Sequence, residues 1–271
     1  MLAQIESIAA GTDHASAAVD DRGCLFTWGR ASWYDETTGL GYEPDRATGC
    51  QLTPKGVEAL SEDRVVGVAL GGCFTLAVTD AGAVFPFGNS YWALGHDGST
   101  IDVLPRRVEA LSEMGRRFVA VAAGVFQSFA LTEEGQVYGW GEGSANGHGH
   151  DSTPQLVTAL AGDSVVLVYA LGCLSYAVTK RGELYTCGIR SSHNFDLGHG
   201  AAAESRFQPM RVEALRHVKV AAAGVSSCHL WVAGADGVVL GFGDPLRFGQ
   251  PPGYGMEQPT PIQNLRVRTL T

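Results

Sequence analysis

Apolar residues along this chain come in short runs of strand length, separated by polar turns that carry glycine. Phe74-Thr75-Leu76-Ala77-Val78 and Ser128-Phe129-Ala130-Leu131 lead into such turns. Cys24-Leu25-Phe26-Thr27-Trp28 and Gln136-Val137-Tyr138-Gly139-Trp140 lead out of them. The runs are rich in β-branched and aromatic residues, which predicts strands. The turns hold Gly23, Gly82, Gly135, Gly182 and Gly237, preceded by Asp21-Arg22, Asp80-Ala81, Glu133-Glu134, Lys180-Arg181 and Ala235-Asp236. A polar pair followed by glycine between two apolar runs predicts a hairpin in which glycine takes a positive φ.

The pattern repeats. Trp28-Gly29, Phe87-Gly88, Trp140-Gly141, Cys187-Gly188 and Phe242-Gly243 each follow a turn glycine by the same six-residue offset, and they are spaced 59, 53, 47 and 55 residues apart. Upstream of each hairpin lies a small-residue run ending in Gly11, Gly71, Gly124, Gly172 or Gly224, as an innermost strand in a crowded radial structure requires. Downstream comes Pro-x-x-Val/Ile at Pro54, Pro105, Pro154, Pro209 and Pro259, which suits the start of an outer strand, where one N–H faces solvent. Four short strands per copy with one variable loop, between the third and fourth, predict an all-β chain: a β-propeller of antiparallel blades. The repeats run approximately over 4–64, 65–117, 118–165, 166–217 and 218–271, read as one domain spanning 1–271. Leu265 to Leu270 reads as the start of a further inner strand, so a closed ring and an open arc both remain compatible with the pattern.

These elements resemble the repeats of the regulator of chromosome condensation family. Its pattern runs from an inner strand ending in Gly, through His-Ser, a strand, Asp-x-Gly and a strand ending in Trp-Gly, to a Leu-Gly loop. Phe87-Gly88-Asn89 with Ala93-Leu94-Gly95-His96, Leu197-Gly198-His199 and Phe248-Gly249-Gln250 carry the likeness. The family histidine is expected at His14, with Phe74, Gln127, Ser175 and Ser227 in the equivalent places. The resemblance implies a propeller that binds proteins and does no covalent chemistry, and in particular guanine-nucleotide exchange on a Ran-like small GTPase. The alternatives are a chromatin- or ubiquitin-pathway scaffold and a propeller that binds an enzyme as an inhibitor does.

Composition narrows the rest. Glycine numbers 36 of 271 residues, but without the every-third spacing of collagen. The hydrophobic fraction of 45% argues for a packed core over disorder. Residues 1–135 hold 9 basic and 18 acidic side chains, whereas residues 136–271 hold 10 of each. That distribution argues against binding a nucleic-acid backbone and suits a basic protein partner such as a histone. The six cysteines form no C-x-x-C pair and read as small buried hydrophobes in a reducing compartment. The chain shows no secretory leader and no apolar run of membrane-spanning length, which suggests cytoplasm or nucleus.

No phosphate-binding glycine loop and no Gly-x-Ser-x-Gly elbow is present. Asn146-Gly147-His148-Gly149-His150-Asp151 reads as a polar loop, because a metal site needs three or four ligands on a fixed frame. No catalytic residue, metal or cofactor is expected. Candidate partner-binding positions are Asp13, His14, Phe126 and Gln127 on the first connection of each repeat. The aromatic residues Trp33, Tyr34, Tyr91, Trp92 and Phe195 on the variable loops join them.

Overall fold

The computed structural model describes residues 4–11, 15–30, 39–43, 50–90, 92–96, 101–142, 151–188, 197–200, 206–226, 229–248 and 258–267. Five four-stranded antiparallel sheets are formed there, each from strands consecutive in sequence. The first blade holds β1 (Ile5–Ala10), β2 (Ala15–Asp20), β3 (Leu25–Arg30) and β4 (Cys50–Gly56). The second holds β5 (Val65–Leu70), β6 (Phe74–Thr79), β7 (Val84–Asn89) and the short β8 (Ile101–Asp102). In the third are β9 (Phe118–Ala123), β10 (Gln127–Thr132), β11 (Val137–Gly141) and β12 (Asp151–Leu156). The fourth comprises β13 (Val165–Leu171), β14 (Leu174–Thr179), β15 (Leu184–Gly188) and β16 (Arg206–Arg211). The fifth comprises β17 (Val220–Ser226), β18 (His229–Gly234), β19 (Val238–Gly243) and β20 (Thr260–Arg266). Within each blade the strands are called A to D below, from the inside outward.

The hairpin glycines behave as their position demands. Gly23, Gly82, Gly135, Gly182 and Gly237 all have φ between 80 and 84°. In the first four blades the side chain of the residue opening the turn also helps close it, as Thr179 Oγ1 does by accepting from the Glu183 N–H at 3.2 Å. Thr79 Oγ1 accepts from the Ala83 N–H at 3.3 Å, Thr132 Oγ1 from Gln136 at 3.1 Å, and Asp20 Oδ1 from Cys24 at 2.8 Å. The glycines ending the C strands meet a different constraint. Gly141 has φ 112°, and a Cβ there would overlap the Phe126 carbonyl oxygen.

Proline sits inside β4, β12 and β16 rather than at their starts. Among the described residues each D strand pairs only with its C strand, so proline's missing N–H interrupts no second ladder there. After strand D the chain turns on Val-x-x-Leu. Val57/Leu60, Val108/Leu111, Val157/Leu160 and Val212/Leu215 are all buried, bracketing three short 3-10 turns and the helix α1 (Glu109–Glu113).

The core lies between blades. Four apolar clusters occur among the described residues, each uniting two consecutive blades: first with second, second with third, third with fourth, fourth with fifth. Three of the four junctions are built alike; in the fourth blade the residue before the C-strand glycine is Cys187. The aromatic residue before the C-strand glycine inserts beside the Leu-Gly elbow of the previous blade. A Cβ on Gly41 would lie 3.1 Å from the Phe87 ring, one on Gly95 3.1 Å from Trp140 Nε1, and one on Gly198 3.0 Å from the Phe242 ring. The carbonyl preceding the elbow leucine is then capped from the next blade. Thr75 Oγ1 donates to Gly39 O at 2.6 Å, and Ser128 Oγ and Trp140 Nε1 donate to Ala93 O at 2.7 and 2.8 Å.

Strand register corrects three expectations. The place opposite the C-strand glycine is taken by Ala15, Phe74, Gln127, Leu174 and His229. The histidine of the repeat pattern is therefore His229, not His14, and the fourth and fifth equivalents are not Ser175 and Ser227. Gly224 does not end its inner strand: β17 runs on to Ser226, with Gly224 paired to Trp231. The cause is the A–B connection, which differs in length between blades and shifts a count made along the chain. The cysteines also depart from a uniformly buried set: Cys187 is buried, Cys24 is exposed, and Cys50, Cys73 and Cys173 are intermediate.

Candidate interaction surface

Strands A and C both run toward one end of the blades, which gathers the A–B turns and C–D loops there. The two are bonded to each other. Asn89 N–H donates to Cys73 O at 2.9 Å and Glu142 N–H to Phe126 O at 2.8 Å. A–B turns of successive blades also touch, through Gly72 N–H to Val125 O at 3.3 Å and Val125 N–H to Gly172 O at 2.9 Å. A Cβ on Gly71 would lie 2.7 Å from Gly124 O, so only glycine allows this approach.

On this frame the predicted residues divide. Phe126 is 47% exposed at the turn tip. Beside it Gln127 is buried: its Oε1 accepts from the Phe126 N–H at 3.2 Å, and its Nε2 donates to Gly172 O of the fourth blade at 2.8 Å. Gln127 thus holds the turn from which Phe126 projects. Trp92 is 44% exposed on the C–D loop of the second blade, next to Ala93, whose carbonyl is bound by the third blade. Both exposed aromatics therefore stand on backbone tied to more than one blade. Asp13, His14, Trp33, Tyr34, Tyr91 and Phe195 lie outside the described residues.

Two polar features of this end were not anticipated. Tyr42, on the C–D side of the first blade, is buried and donates from its hydroxyl to Thr27 O at 2.7 Å. His96 is buried with its Nε2 3.5 Å from Asp102 Oδ2, and Arg106 Nη1 stands 3.9 Å from that carboxylate. Burial first, and the Arg106 charge second, hold the His96 pKa below the usual imidazole range. A histidine two residues past a loop leucine offers no signal in sequence that it will be enclosed.

The opposite end, with B–C turns and D–A connections, is occupied by ionic contacts between and within blades. Arg64 Nη1 donates to Asp21 O at 3.0 Å, and Arg117 Nη2 to Asp80 O at 2.9 Å. Arg181 binds Asp163 and Glu183, Arg211 Nη1 lies 3.2 Å from Glu183 Oε1, and Tyr185 donates to Asp163 Oδ2 at 2.8 Å. These groups hold turns in place. Among the described residues no group of three or more His, Cys, Asp or Glu side chains is arranged to hold a metal ion. Burial pushes the Cys187 thiol up to about 12, so it is not a thiolate nucleophile. No helix among the described residues is long and apolar enough to cross a membrane.

Comparison with known proteins agrees with this frame. Models of the regulator of chromosome condensation (RCC1) repeat match residues 81–131 and 118–149. The chain is 30% identical to the E3 ubiquitin-protein ligase HERC2 of Homo sapiens, over 98% of this chain and 5% of that protein. It is 31% identical to the ultraviolet-B receptor UVR8 of Arabidopsis thaliana, over 96% of this chain and 58% of the receptor. It is also 31% identical to the secretion-regulating guanine nucleotide exchange factor of Bos taurus, over 88% and 52% of the two chains. The chain thus spans between one twentieth and under two thirds of these relatives' lengths. Among solved structures, human WBSCR16 superposes with a TM-score of 0.79 at 22% identity, covering 97% of this chain and 67% of that one. Prp20p of Saccharomyces cerevisiae, whose structure was described with its binding to Gsp1p and histones, superposes with a TM-score of 0.72 at 22% identity, covering 96% and 63%. Five sheets in one repeating register, family-model matches across the second and third, and relatives aligned along nearly its whole length make this chain a member of the regulator of chromosome condensation repeat family.

Proposed function

We propose that this chain is a protein-binding propeller that docks a partner on the end carrying its A–B turns and C–D loops, and does no covalent chemistry itself. The observation that carries the reading is the exposed Phe126, held on a turn tied by hydrogen bonds to the third and fourth blades. An aromatic side chain on rigid backbone loses little freedom on binding, which is what an interface anchor requires. The opposite end is less suited, because its charged groups already serve the turns.

The partner is a small GTPase whose nucleotide release the chain promotes. Support comes from the relative named as a guanine nucleotide exchange factor and from the Prp20p structure described with Gsp1p. Exchange needs no bond making: the propeller favours the nucleotide-free form by binding it better. Purified protein should accelerate release of fluorescent GDP from a Ran-type GTPase, and Phe126→Ala should lower that acceleration about 30-fold or more, the loss typical of an interface anchor. Absence of acceleration on any small GTPase removes this reading.

A second reading has its own observation. The acidic excess is confined to residues 1–135, with 18 acidic against 9 basic side chains, and it fits a scaffold for a basic protein such as a histone. Histone binding that weakens steeply with salt, without nucleotide release, favours this alternative. Either partner places the protein in the cytoplasm or nucleus.

A further inference from the structure

Two of the three Leu-Gly elbows among the described residues are tied to strand C of their own blade. In the first blade Thr27 Oγ1 donates to Leu40 O at 2.6 Å, and the Tyr42 hydroxyl donates back to Thr27 O at 2.7 Å. In the fourth, Thr186 Oγ1 donates to Leu197 O at 2.6 Å and lies 3.0 Å from His199 Nε2. Pro86 takes this strand C place in the second blade, preceding Phe87 as Thr27 precedes Trp28 and Thr186 precedes Cys187. Proline has no hydroxyl, so neither tie through that side chain can form.

The second elbow relies on other holds. Ala93 O accepts from Ser128 and Trp140 of the next blade, and Ala93 N–H donates to Ser90 Oγ at 3.1 Å. The third hold is His96, in the place of Tyr42 and His199. Its side chain is 6% exposed, yet its Nε2 has no hydrogen-bond partner among the described residues and stands 3.5 Å from Asp102 Oδ2 on β8. The charges that act on this ring are Asp102, Arg106 and Glu109 of α1. Burial, and then the Arg106 charge, oppose its protonation. Asp102, the Arg106 backbone and Glu109 favour it, and the opposing side prevails. Released into water, the ring takes an ordinary imidazole pKa of about 6.5. Falling pH therefore favours an elbow turned out to solvent over one closed on β8.

We propose that His96 is a proton-sensitive latch on the second elbow. Neutral, it closes residues 92–96 on β8 and fixes the exposed Trp92 in its docking position. Protonated, it lets those residues come away, and partner docking at this end weakens in acid. The effect on docking rests on the function proposed above; the latch itself is read without a partner.

Hydrogen exchange resolved by NMR tests the latch. The Ala93 amide reports the elbow, and the Val165 amide, which donates to Gly135 O at 3.0 Å at the opposite end, reports the rest of the fold. After correction for intrinsic rates, Ala93 should lose up to about tenfold in protection from pH 7.5 to 5.5, the ratio set by an imidazole pKa of about 6.5 in the released elbow. Val165 should keep its protection. His96→Gln should abolish the loss at Ala93. Arg106→Gln should shrink it by lifting one repulsion, and serves if His96→Gln does not fold, because the Arg106 side chain is 60% exposed. An unchanged Ala93, equal losses at both amides, or a loss that survives His96→Gln overturns the latch. Acceleration of fluorescent GDP release from a Ran-type GTPase should then fall over the same pH range with the unmodified chain and fall less with His96→Gln. Identical falls overturn the link to docking. No acceleration at either pH counts against the exchange reading alone, since the Ala93 amide decides the latch.

Discussion

The sharpest test of the junction design is the shared carbonyl of Ala93. It is buried and accepts from Ser128 Oγ at 2.7 Å and Trp140 Nε1 at 2.8 Å, both donors coming from the next blade. Trp140→Phe keeps an aromatic ring in the elbow, as Phe87 and Phe242 do naturally, and removes one donor. Ser128→Ala removes the other. Each single change leaves the carbonyl one partner and should cost about 1 kcal/mol, the net worth of a neutral hydrogen bond, plus about 1 kcal/mol for the smaller ring in the Phe variant. The double variant strands a buried acceptor, which costs a further ~1–3 kcal/mol. The double-mutant cycle should therefore be more destabilising than additive by at least ~1 kcal/mol. Urea unfolding followed by tryptophan fluorescence and circular dichroism measures it. Thr75→Val paired with Ser128→Ala is the control: it touches a different elbow carbonyl, Gly39 O, and should be additive within about 0.5 kcal/mol. Additivity within that margin for Ser128 and Trp140 would refute the shared-acceptor account.

Further outcomes follow from single residues. Gly141→Ala should lower the melting temperature far more than Gly115→Ala, because Cβ at 141 meets the Phe126 carbonyl while Cβ at 115 meets nothing, although both have positive φ. The expected costs are upward of ~2 kcal/mol against about 1 kcal/mol, read by thermal denaturation. The lowered pKa of buried His96 means the unfolded chain takes up its proton first as pH falls. Stability should therefore be full above about 6.5 and decline as pH drops toward the folded value. His96→Gln should flatten that part of a stability profile measured from pH 5 to 8, and an unchanged slope would exclude His96 as its source. Iodoacetamide at pH 8 should label Cys24 in the folded protein and spare Cys187, whose thiol is buried and pushed up to about 12, as peptide mass spectrometry would report. Trp92→Ala should weaken partner binding while lowering the unfolding midpoint far less than Trp140→Ala, because Trp92 is 44% exposed and Trp140 is fully buried.

Several features were legible from the chain alone because they depend on a few consecutive residues. A tight hairpin demands positive φ wherever it occurs, so five glycines at one offset located five turns, and all five have φ near +80°. The aromatic-glycine pairs located the C strands for a related reason: the backbone carbonyl across the blade leaves no room for Cβ. Local steric rules of this sort, repeated five times, determined the blade and the family resemblance.

What a side chain does at the partner end depends on the neighbouring blade, and the chain order does not carry that. Phe126 and Gln127 are adjacent and were read alike, yet one projects into solvent and the other spans to Gly172 O. His229 rather than His14 takes the place of the repeat histidine, because A–B connections of unequal length move the register without disturbing the hairpins. Ser128 and Trp140 share an acceptor 35 and 47 residues away, and His96 is enclosed by an arginine and a carboxylate on a later segment. The sequence by itself determined where the strands turn, because that is settled within a few bonds. Only the packing of one blade on the next decided which residues are exposed, because exposure is a property of the neighbour as much as of the residue.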